Sequence, residues 1–382
     1  MEFPTGKAID YRYDELDQLV EEELPDGTKI EYTYDGFGNR TKVVKTKGGQ
    51  STTTNADYNE ANQLIRFGSE TMRYDANGNR LEDGQYRYEW NEADQLVSIT
   101  RKGESTPFVT YKYDEDGRRI QKNVNGVVTN YHYQGDSLNV LYETDASGNV
   151  VRSYIYGENG QLLAMKKGNA TYFYHYNAHG DVIALTDAQG NIAARYQYDA
   201  WGNILSQSGS LADENPYRYA GYQYDRETGL YYLIARYYHP EHGVFLSLDP
   251  DPGDEDDILT QNGYTYANNN PVMLVDPDGH RAKLFKDIFQ KIKKTGFKIH
   301  KIGRIKGAND SGKGYWGVLY STKNNKGKRK YRSIELHPPH NNHGYHLQSN
   351  KFTKNHPHFK GKFYRSGEAW RITIWKAKNR KK

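Results

Sequence analysis

One short unit recurs through the first two thirds of this chain and restricts its fold more than any other feature. Two aromatics separated by one residue precede an acid, then a turn with Gly or Asn, then a polar-aliphatic run. Copies include Tyr11-Arg12-Tyr13-Asp14, Tyr32-Thr33-Tyr34-Asp35 with GFGNR, Tyr111-Lys112-Tyr113-Asp114 with EDGRR, and Tyr196-Gln197-Tyr198-Asp199 with AWGN. The second aromatic falls at Tyr13, Tyr34, Tyr58, Tyr74, Tyr88, Tyr113, Tyr133, Tyr156, Tyr176, Tyr198 and Tyr224, every 14 to 26 residues. A unit of about twenty residues marks an array. Aromatic and polar positions alternate, which sets the rings on one strand face. The Asp-x-x-Gly-Asn segment supplies the positive φ of a hairpin turn. The array is therefore expected to be a long antiparallel ribbon of hairpins. Its 35 Tyr make such a sheet stable despite a mean hydropathy of −0.98, because each ring buries a large area and keeps a polar tip.

These residues resemble the YD repeats of Rhs-type polymorphic toxins. Over 215–279, NPYRYAGYQYDRETGLYYLIARYYHPEHGVFLSLDP and then NGYTYANNNPVMLVDPDG resemble the Rhs repeat-associated core. The nearest group is the wall-associated, WapA-like one of Gram-positive bacteria. The resemblance implies a hollow β-cocoon wound around a C-terminal toxin, with the activity carried by the variable segment after the DPxG motif. The divisions expected are a YD-repeat ribbon over 1–214, the repeat-associated core over 215–279, and a small α+β toxin domain over 280–382.

Charge divides the chain at the same point. Residues 1–279 carry 24 Lys+Arg against 44 Asp+Glu, a balance of −20, whereas residues 280–382 carry 28 against 4, a balance of +24. Such asymmetry implies a polyanion-binding segment on a carrier that does not bind nucleic acid. With no Cys, disulfides and thiol chemistry are excluded. No apolar run reaches the ~20 residues of a membrane span, and MEFPTGKAID lacks the apolar core of a secretion signal. The parent protein is expected to be secreted or wall-associated, and the toxin to act in a target cell's cytoplasm. A cargo of ~100 residues has an outer radius of roughly 17 Å, and a wall about 7 Å beyond it spans on the order of 7,000 Å². At ~16 Å² per strand residue, the first 279 residues cover only about 4,500 Å². The remainder of a larger shell is the expected partner.

At the join stand Asp249, in Leu248-Asp249-Pro250, and Asp276, in Val275-Asp276-Pro277-Asp278-Gly279. The resemblance implies an intramolecular aspartyl cleavage near matching Asp-Pro positions. Two carboxyls sharing a proton provide the acid and base of peptide hydrolysis. Asp-Pro also serves simply to cap turns. Self-cleaving relatives usually follow DPxG with Leu, where this chain has His280. The acidic run Asp254-Glu255-Asp256-Asp257 is a solvated loop or a calcium ligand set.

In the basic segment, RAKLFKDIFQKIKKTG spaces Leu284, Phe285, Ile288, Phe289 and Ile292 as a helix over 281–296, ended by Gly296. Strand character follows at 297–306, 315–322, 328–336, 343–348 and 362–377. One helix and about five antiparallel strands resemble the barnase–EndoU–colicin–RelE type of small ribonuclease. Chemistry concentrates between Glu335 and His346, with His337, His340 and His343 between them. A His pair can cleave RNA through its own 2′-hydroxyl without a cofactor, one taking and one giving a proton near neutral pH. Glu335 would orient a His or act as base, and Arg332, Arg365 or Arg371 would stabilise the phosphorane. Lys323, Lys326, Lys328, Arg329, Lys330, Lys351 and Lys354 are candidates for phosphate contacts, and interleaved aromatics could stack the bases of a tRNA loop. The rival is a divalent metal held by His337, His340, His343 and His346, although Pro338-Pro339 forbids the helix that would align them.

The function expected is a contact-dependent growth-inhibition toxin: a cocoon carrier delivering a metal-independent ribonuclease, with tRNA as target. A cognate acidic immunity protein would meet the +24 surface. The alternatives are a metal-dependent DNase on the same carrier and a non-catalytic module gripping wall polyanions.

Overall fold

The computed structural model describes residues 9–158, 160–251, 253 and 258–280 with their side chains. Beyond them it describes the strand backbone of 283–284, 298–305, 315–323, 329–337, 346–354 and 363–373. The chain divides into two compact units, Met1–Phe285 and Lys286–Lys382.

In the first unit the repeat becomes a meander. Seven strands, from β1 (Asp10–Tyr13) to β7 (Glu70–Thr71), form one sheet, and fourteen, from β8 (Arg73–Tyr74) to β21 (Ile204–Ser208), form a second. Each strand is antiparallel to its sequence neighbours. Every Asp-x-x-Gly-Asn segment closes on itself. Asp35 Oδ1 accepts from the amides of Phe37 and Asn39, each at 2.9 Å, and Asn39 Nδ2 donates to Asp35 Oδ2 at 2.9 Å. Asp145 with Asn149 and Asp199 with Asn203 repeat the pattern. This is the Asx-turn geometry that Asp favours.

The paired aromatics have separate tasks. Tyr32, Tyr111, Tyr154 and Tyr174, the first of each pair, are buried against the core. The second sits at a register shift, where its hydroxyl reaches back to the preceding hairpin. Tyr34 donates to the Leu19 carbonyl at 2.7 Å, Tyr133 to Arg119 at 2.8 Å, Tyr176 to Leu162 at 2.7 Å and Tyr198 to Val182 at 2.9 Å.

Residues 215–279 form the packing centre for this ribbon. A small sheet runs from β22 (Gln223–Asp225) to β25 (Val244–Phe245). Buried Tyr217, Tyr219, Tyr222, Tyr231, Tyr238 and Tyr266 share one core with the ribbon's Tyr131, Tyr154, Tyr174 and Tyr196. The same centre ties hairpin turns together. Asn262 Nδ2 donates to the Phe37 carbonyl at 3.0 Å, Asn269 Nδ2 to Gln18 Oε1 at 3.0 Å and the Gly38 carbonyl at 2.6 Å, and Asn270 Nδ2 to the Asp17 carbonyl at 2.8 Å. Early ribbon also meets late ribbon: Glu22 accepts from the Ala200 amide at 3.0 Å, and Tyr32 lies edge-on to Trp201 at 5.8 Å. The described α-helix is a single turn, Ile258–Gln261. Among the described residues no helix is long and apolar enough to cross a membrane.

A two-stranded ladder pairs β26 (Leu274–Val275) with β27 (Lys283–Leu284). This corrects the start of the helix expected over 281–296. Helical spacing at Leu284 and Phe285 is a local signal, and it does not register a strand partner ten residues upstream. The rest of that helix lies outside the described residues. The pairing also carries the first unit past residue 279, to Phe285.

The second unit is a five-stranded antiparallel meander: β28 (Lys298–Ile305), β29 (Tyr315–Lys323), β30 (Arg329–His337), β31 (His346–Lys354) and β32 (Phe363–Thr373). Four of the five strands expected from the sequence fall within a few residues of these. The fourth, expected over 343–348, begins three residues later and runs to Lys354, because all of it pairs with β32.

Candidate functional site

At the join, the two aspartates named from the sequence converge on one guanidinium. Arg236 Nη2 lies 2.7 Å from Asp249 Oδ2 and 3.3 Å from Asp276 Oδ2. Arg236 is buried, its guanidinium 3.6 Å from the centre of the Phe245 ring. Its Nη1 donates to the Gly263 carbonyl at 2.9 Å, and its Nε donates to the Gly279 carbonyl. Gly263 O also accepts from the Asp249 amide at 3.0 Å, so one carbonyl fixes both partners. Asp276 Oδ1 accepts from the amides of Gly279 at 3.0 Å and His280 at 3.1 Å. The Gly279–His280 peptide is thus gripped at its oxygen by Arg236 and at its nitrogen by Asp276.

Gly279 has to be glycine. Its φ is +77°, and a Cβ there would stand 2.6 Å from the Leu233 carbonyl oxygen. Burial pushes the Asp276 carboxyl above the usual range against the pull of Arg236, with Asp278 adding to the rise. Burial likewise pushes Asp249 up, again against Arg236, with Asp276 adding to the rise. Two carboxyls that resist full ionisation together tend to hold a proton between them. The turn-capping role expected of Asp-Pro is present too, since Asp249 Oδ1 caps the Asp251 amide at 2.8 Å. Asp276 Oδ1 caps in the same way, its two amide partners lying three and four residues on. Arg236 was not singled out in the sequence, although it is one of only three Lys or Arg residues between 201 and 279. The run Asp254–Asp257 lies outside the described residues.

In the second unit the backbone register orders the other candidates. His337 pairs with His346, Glu335 with Gln348, and Gln348 with Arg371. Cross-strand partners, and residues two apart along a strand, share a face. Glu335, His337, His346 and Arg371 therefore occupy neighbouring positions on one face of the sheet, with Ser333, Asn350 and Thr373. The opposite face carries Trp316, Val318, Ile334, Leu336, Leu347, Trp370 and Ile372. Arg365, beyond two register shifts, pairs with Phe352. Arg332 pairs with Lys351 on the apolar side, together with Lys330. Lys323 pairs with Arg329 at the far end of the β29–β30 hairpin, and Lys354 pairs with Phe363 at the end of β31. The cations named for phosphate binding are thus divided between faces and ends. His340, His343, Lys326 and Lys328 lie outside the described residues. His337 and His346 flank the connection that carries the first two.

Comparison with known proteins agrees with this architecture. The family model described as the teneurin YD-shell matches residues 5–272. A protein of Bacillus spizizenii named tRNA3(Ser)-specific nuclease WapA is 58% identical over 269 residues, covering 70% of this chain and 12% of that protein. The tRNA(Glu)-specific nuclease WapA of Bacillus subtilis subsp. natto is 50% identical over 307 residues, covering 80% of this chain and 13% of that protein. The crystal structure of TcdB2-TccC3-TEV superposes with a TM-score of 0.57 at 23% identity, over 71% of this chain and 15% of that one, a likeness of fold. The chain spans about an eighth of the length of the two WapA proteins. With Asx-closed hairpins, a tyrosine core that stitches their turns, and a family match over most of its residues, the chain belongs to the teneurin YD-shell family as a WapA-like YD-repeat protein.

Proposed function

We propose that this chain is part of a secreted contact-dependent toxin: a YD-shell carrier followed by a ribonuclease that acts on tRNA in the cytoplasm of a target cell. The observation that carries the reading is the sheet face on which Glu335, His337, His346 and Arg371 neighbour one another, within a segment of balance +24. The relative from subspecies natto adds support. Its match covers 80% of 382 residues, about 306, and so extends at least about 20 residues beyond the 285 of the first unit.

The chemistry requires no metal. One of His337 and His346 takes the proton of an RNA 2′-hydroxyl, whose oxygen attacks the adjacent phosphorus. The other protonates the departing 5′ oxygen, leaving a 2′,3′-cyclic phosphate. Arg371 stabilises the charge that builds on phosphorus, and Glu335 orients a histidine. Arg332 is assigned to packing or phosphate contact, being on the other face. An acidic immunity protein would neutralise the same surface in the producer. The test is expression of the chain in bacteria with His346→Ala and His337→Ala beside the parent. Each substitution is expected to lower tRNA cleavage by about 10²–10⁴-fold, and EDTA to leave parent activity unchanged. Activity abolished by EDTA favours a metal-dependent nuclease, degraded DNA favours the DNase, and intact nucleic acids in unaffected cells favour a wall-binding module.

The join supports a second activity, cleavage of the chain beside His280. Asp249, as carboxylate, takes a proton from water while the oxygen adds to the Gly279 carbonyl carbon, polarised by Arg236. The C–N bond then breaks as Asp276 gives its proton to the His280 nitrogen, so the products are a carboxylate and a free amine. Mass spectrometry of the purified chain is expected to find a fragment beginning at His280. Asp276→Asn should leave the chain whole.

A further inference from the structure

Asp276 must hold its carboxyl against both Arg236 and the His280 amide, yet Pro277 follows it and no long strand steadies it. Its own amide is held instead by a side chain, donating to the Tyr222 hydroxyl at 2.9 Å. That hydroxyl lies 3.0 Å from the hydroxyl of Tyr266, whose ring packs 6.1 Å from that of Tyr219. Tyr219 Oη donates to the carbonyls of Ala200, at 2.8 Å, and Pro271, at 3.0 Å.

The Tyr222 oxygen accepts from the Asp276 amide and keeps a hydroxyl–hydroxyl contact with Tyr266. Burial pushes all three phenols up, Tyr219 and Tyr266 far above the usual range, so none ionises near neutral pH. The rings are packed against one another, with Tyr222 and Tyr266 at 6.3 Å and nearly perpendicular.

We infer that Tyr222, backed by Tyr266 and Tyr219, is a positioning residue for self-cleavage, fixing the backbone of Asp276 so that its carboxyl meets Arg236 and the His280 nitrogen. This rests on the self-cleavage reading. Tyr219, packed on Tyr222 at 6.2 Å, donates to the carbonyl of Ala200, whose amide binds Glu22 of the early ribbon. Closure of the early ribbon on that turn and the support of Tyr222 therefore meet in one tyrosine cluster.

The experiment follows cleavage of the full chain by intact mass over time and pH, for the parent, Asp276→Asn, Tyr222→Phe and Tyr266→Phe, with the melting temperature of each. Tyr222→Phe keeps the ring and removes only the hydroxyl. It is expected to slow cleavage about 100-fold, the cost of misplacing a reacting group by about an ångström. Arg236 holds the Asp276 carboxyl down, and a displaced Asp276 loses part of that pull. The limb of the pH–rate profile set by Asp276 should therefore move to higher pH. Tyr266→Phe should act in the same direction with smaller effect. Parent-like cleavage by Tyr222→Phe overturns the inference while leaving self-cleavage intact. So does slow cleavage with an unmoved pH profile and a lowered melting temperature, which is a general loss of structure. A parent chain that stays whole, or an Asp276→Asn variant that cleaves like the parent, overturns the self-cleavage reading and this inference with it.

Discussion

Glu22 shows how much one residue carries in this architecture. It is fully buried where the early ribbon meets the 199–203 turn, accepting from Tyr32 Oη at 2.5 Å and the Ala200 amide at 3.0 Å. Burial, with Asp199 close by, pushes its carboxyl up to about 8, against the opposing pull of the Tyr32 hydroxyl, the Ala200 amide and Arg40. Asp199 is itself raised by burial, so the pair cannot readily ionise together. A carboxyl raised on folding binds its proton more tightly in the folded state. Its stabilising contribution is therefore full below the ordinary carboxylate range and lost as pH climbs through about 8. The chain should lose melting temperature between pH 5 and pH 8, by on the order of several °C. Glu22→Gln, which keeps a donor and an acceptor but no charge, should flatten that slope. Thermal unfolding at a series of pH values checks it, and an equal slope in both proteins rules out Glu22 as the cause. None of this was legible in the sequence, where Glu22 is the middle of three consecutive glutamates in an acidic ribbon. The alternation marks Glu22 as inward-facing only once its partners, some 180 residues away, are known.

At the scale of elements, the hairpins were legible and their stitching was not. Tyr-x-Tyr-Asp with Gly-Asn encodes a strand, a bulge and an Asx turn within ten residues, and local chemistry suffices to close it. The same holds for the strands of the second unit, whose apolar and polar positions alternate. The Asn-rich run at 268–270 gave no such signal. Ala267, Asn268 and Asn269 take positive φ of 50°, 50° and 58°, and that arrangement aims Asn269 and Asn270 at turns some 230–250 residues earlier in the chain. Packing is tight there, since a Cβ on Gly38 would stand 3.0 Å from Asn269 Nδ2. Asn269→Ala removes both donors to Gln18 and Gly38 and leaves the Gly38 carbonyl buried without this partner. It should destabilise the shell by about 1–3 kcal/mol, more than Asn191→Ala, whose bonds stay within one exposed turn. Urea unfolding of the two variants measures the difference, and equal midpoints would mean the stitching adds nothing beyond the local turn.

For the molecule as a whole, the charge division was the most informative thing the sequence offered, and it separates net charge from local charge. A balance of +4 over 382 residues would predict weak attraction to any polyanion. Binding to RNA, however, depends on how many phosphates are met at once and how many counterions are released, a local quantity. The 28 basic residues of 280–382 are confined to about a quarter of the chain, so the whole protein should bind tRNA as a strongly basic one does. The expected signature is steep: between 50 and 200 mM salt, affinity should fall by about 10²-fold or more. The measurement is fluorescence anisotropy of labelled tRNA with the Asp276→Asn chain, which keeps both charge blocks covalently joined. The candidate acid and base add a second constraint, because His337 and His346 sit at the opposite end of β30 from the Lys323–Arg329 pair. Lys323→Gln with Arg329→Gln should therefore reduce the salt slope while leaving the cleavage rate at saturating tRNA nearly unchanged. His346→Ala should do the reverse. A chain whose tRNA affinity ignored salt would leave the basic block without a phosphate to meet, and the nuclease reading without its substrate.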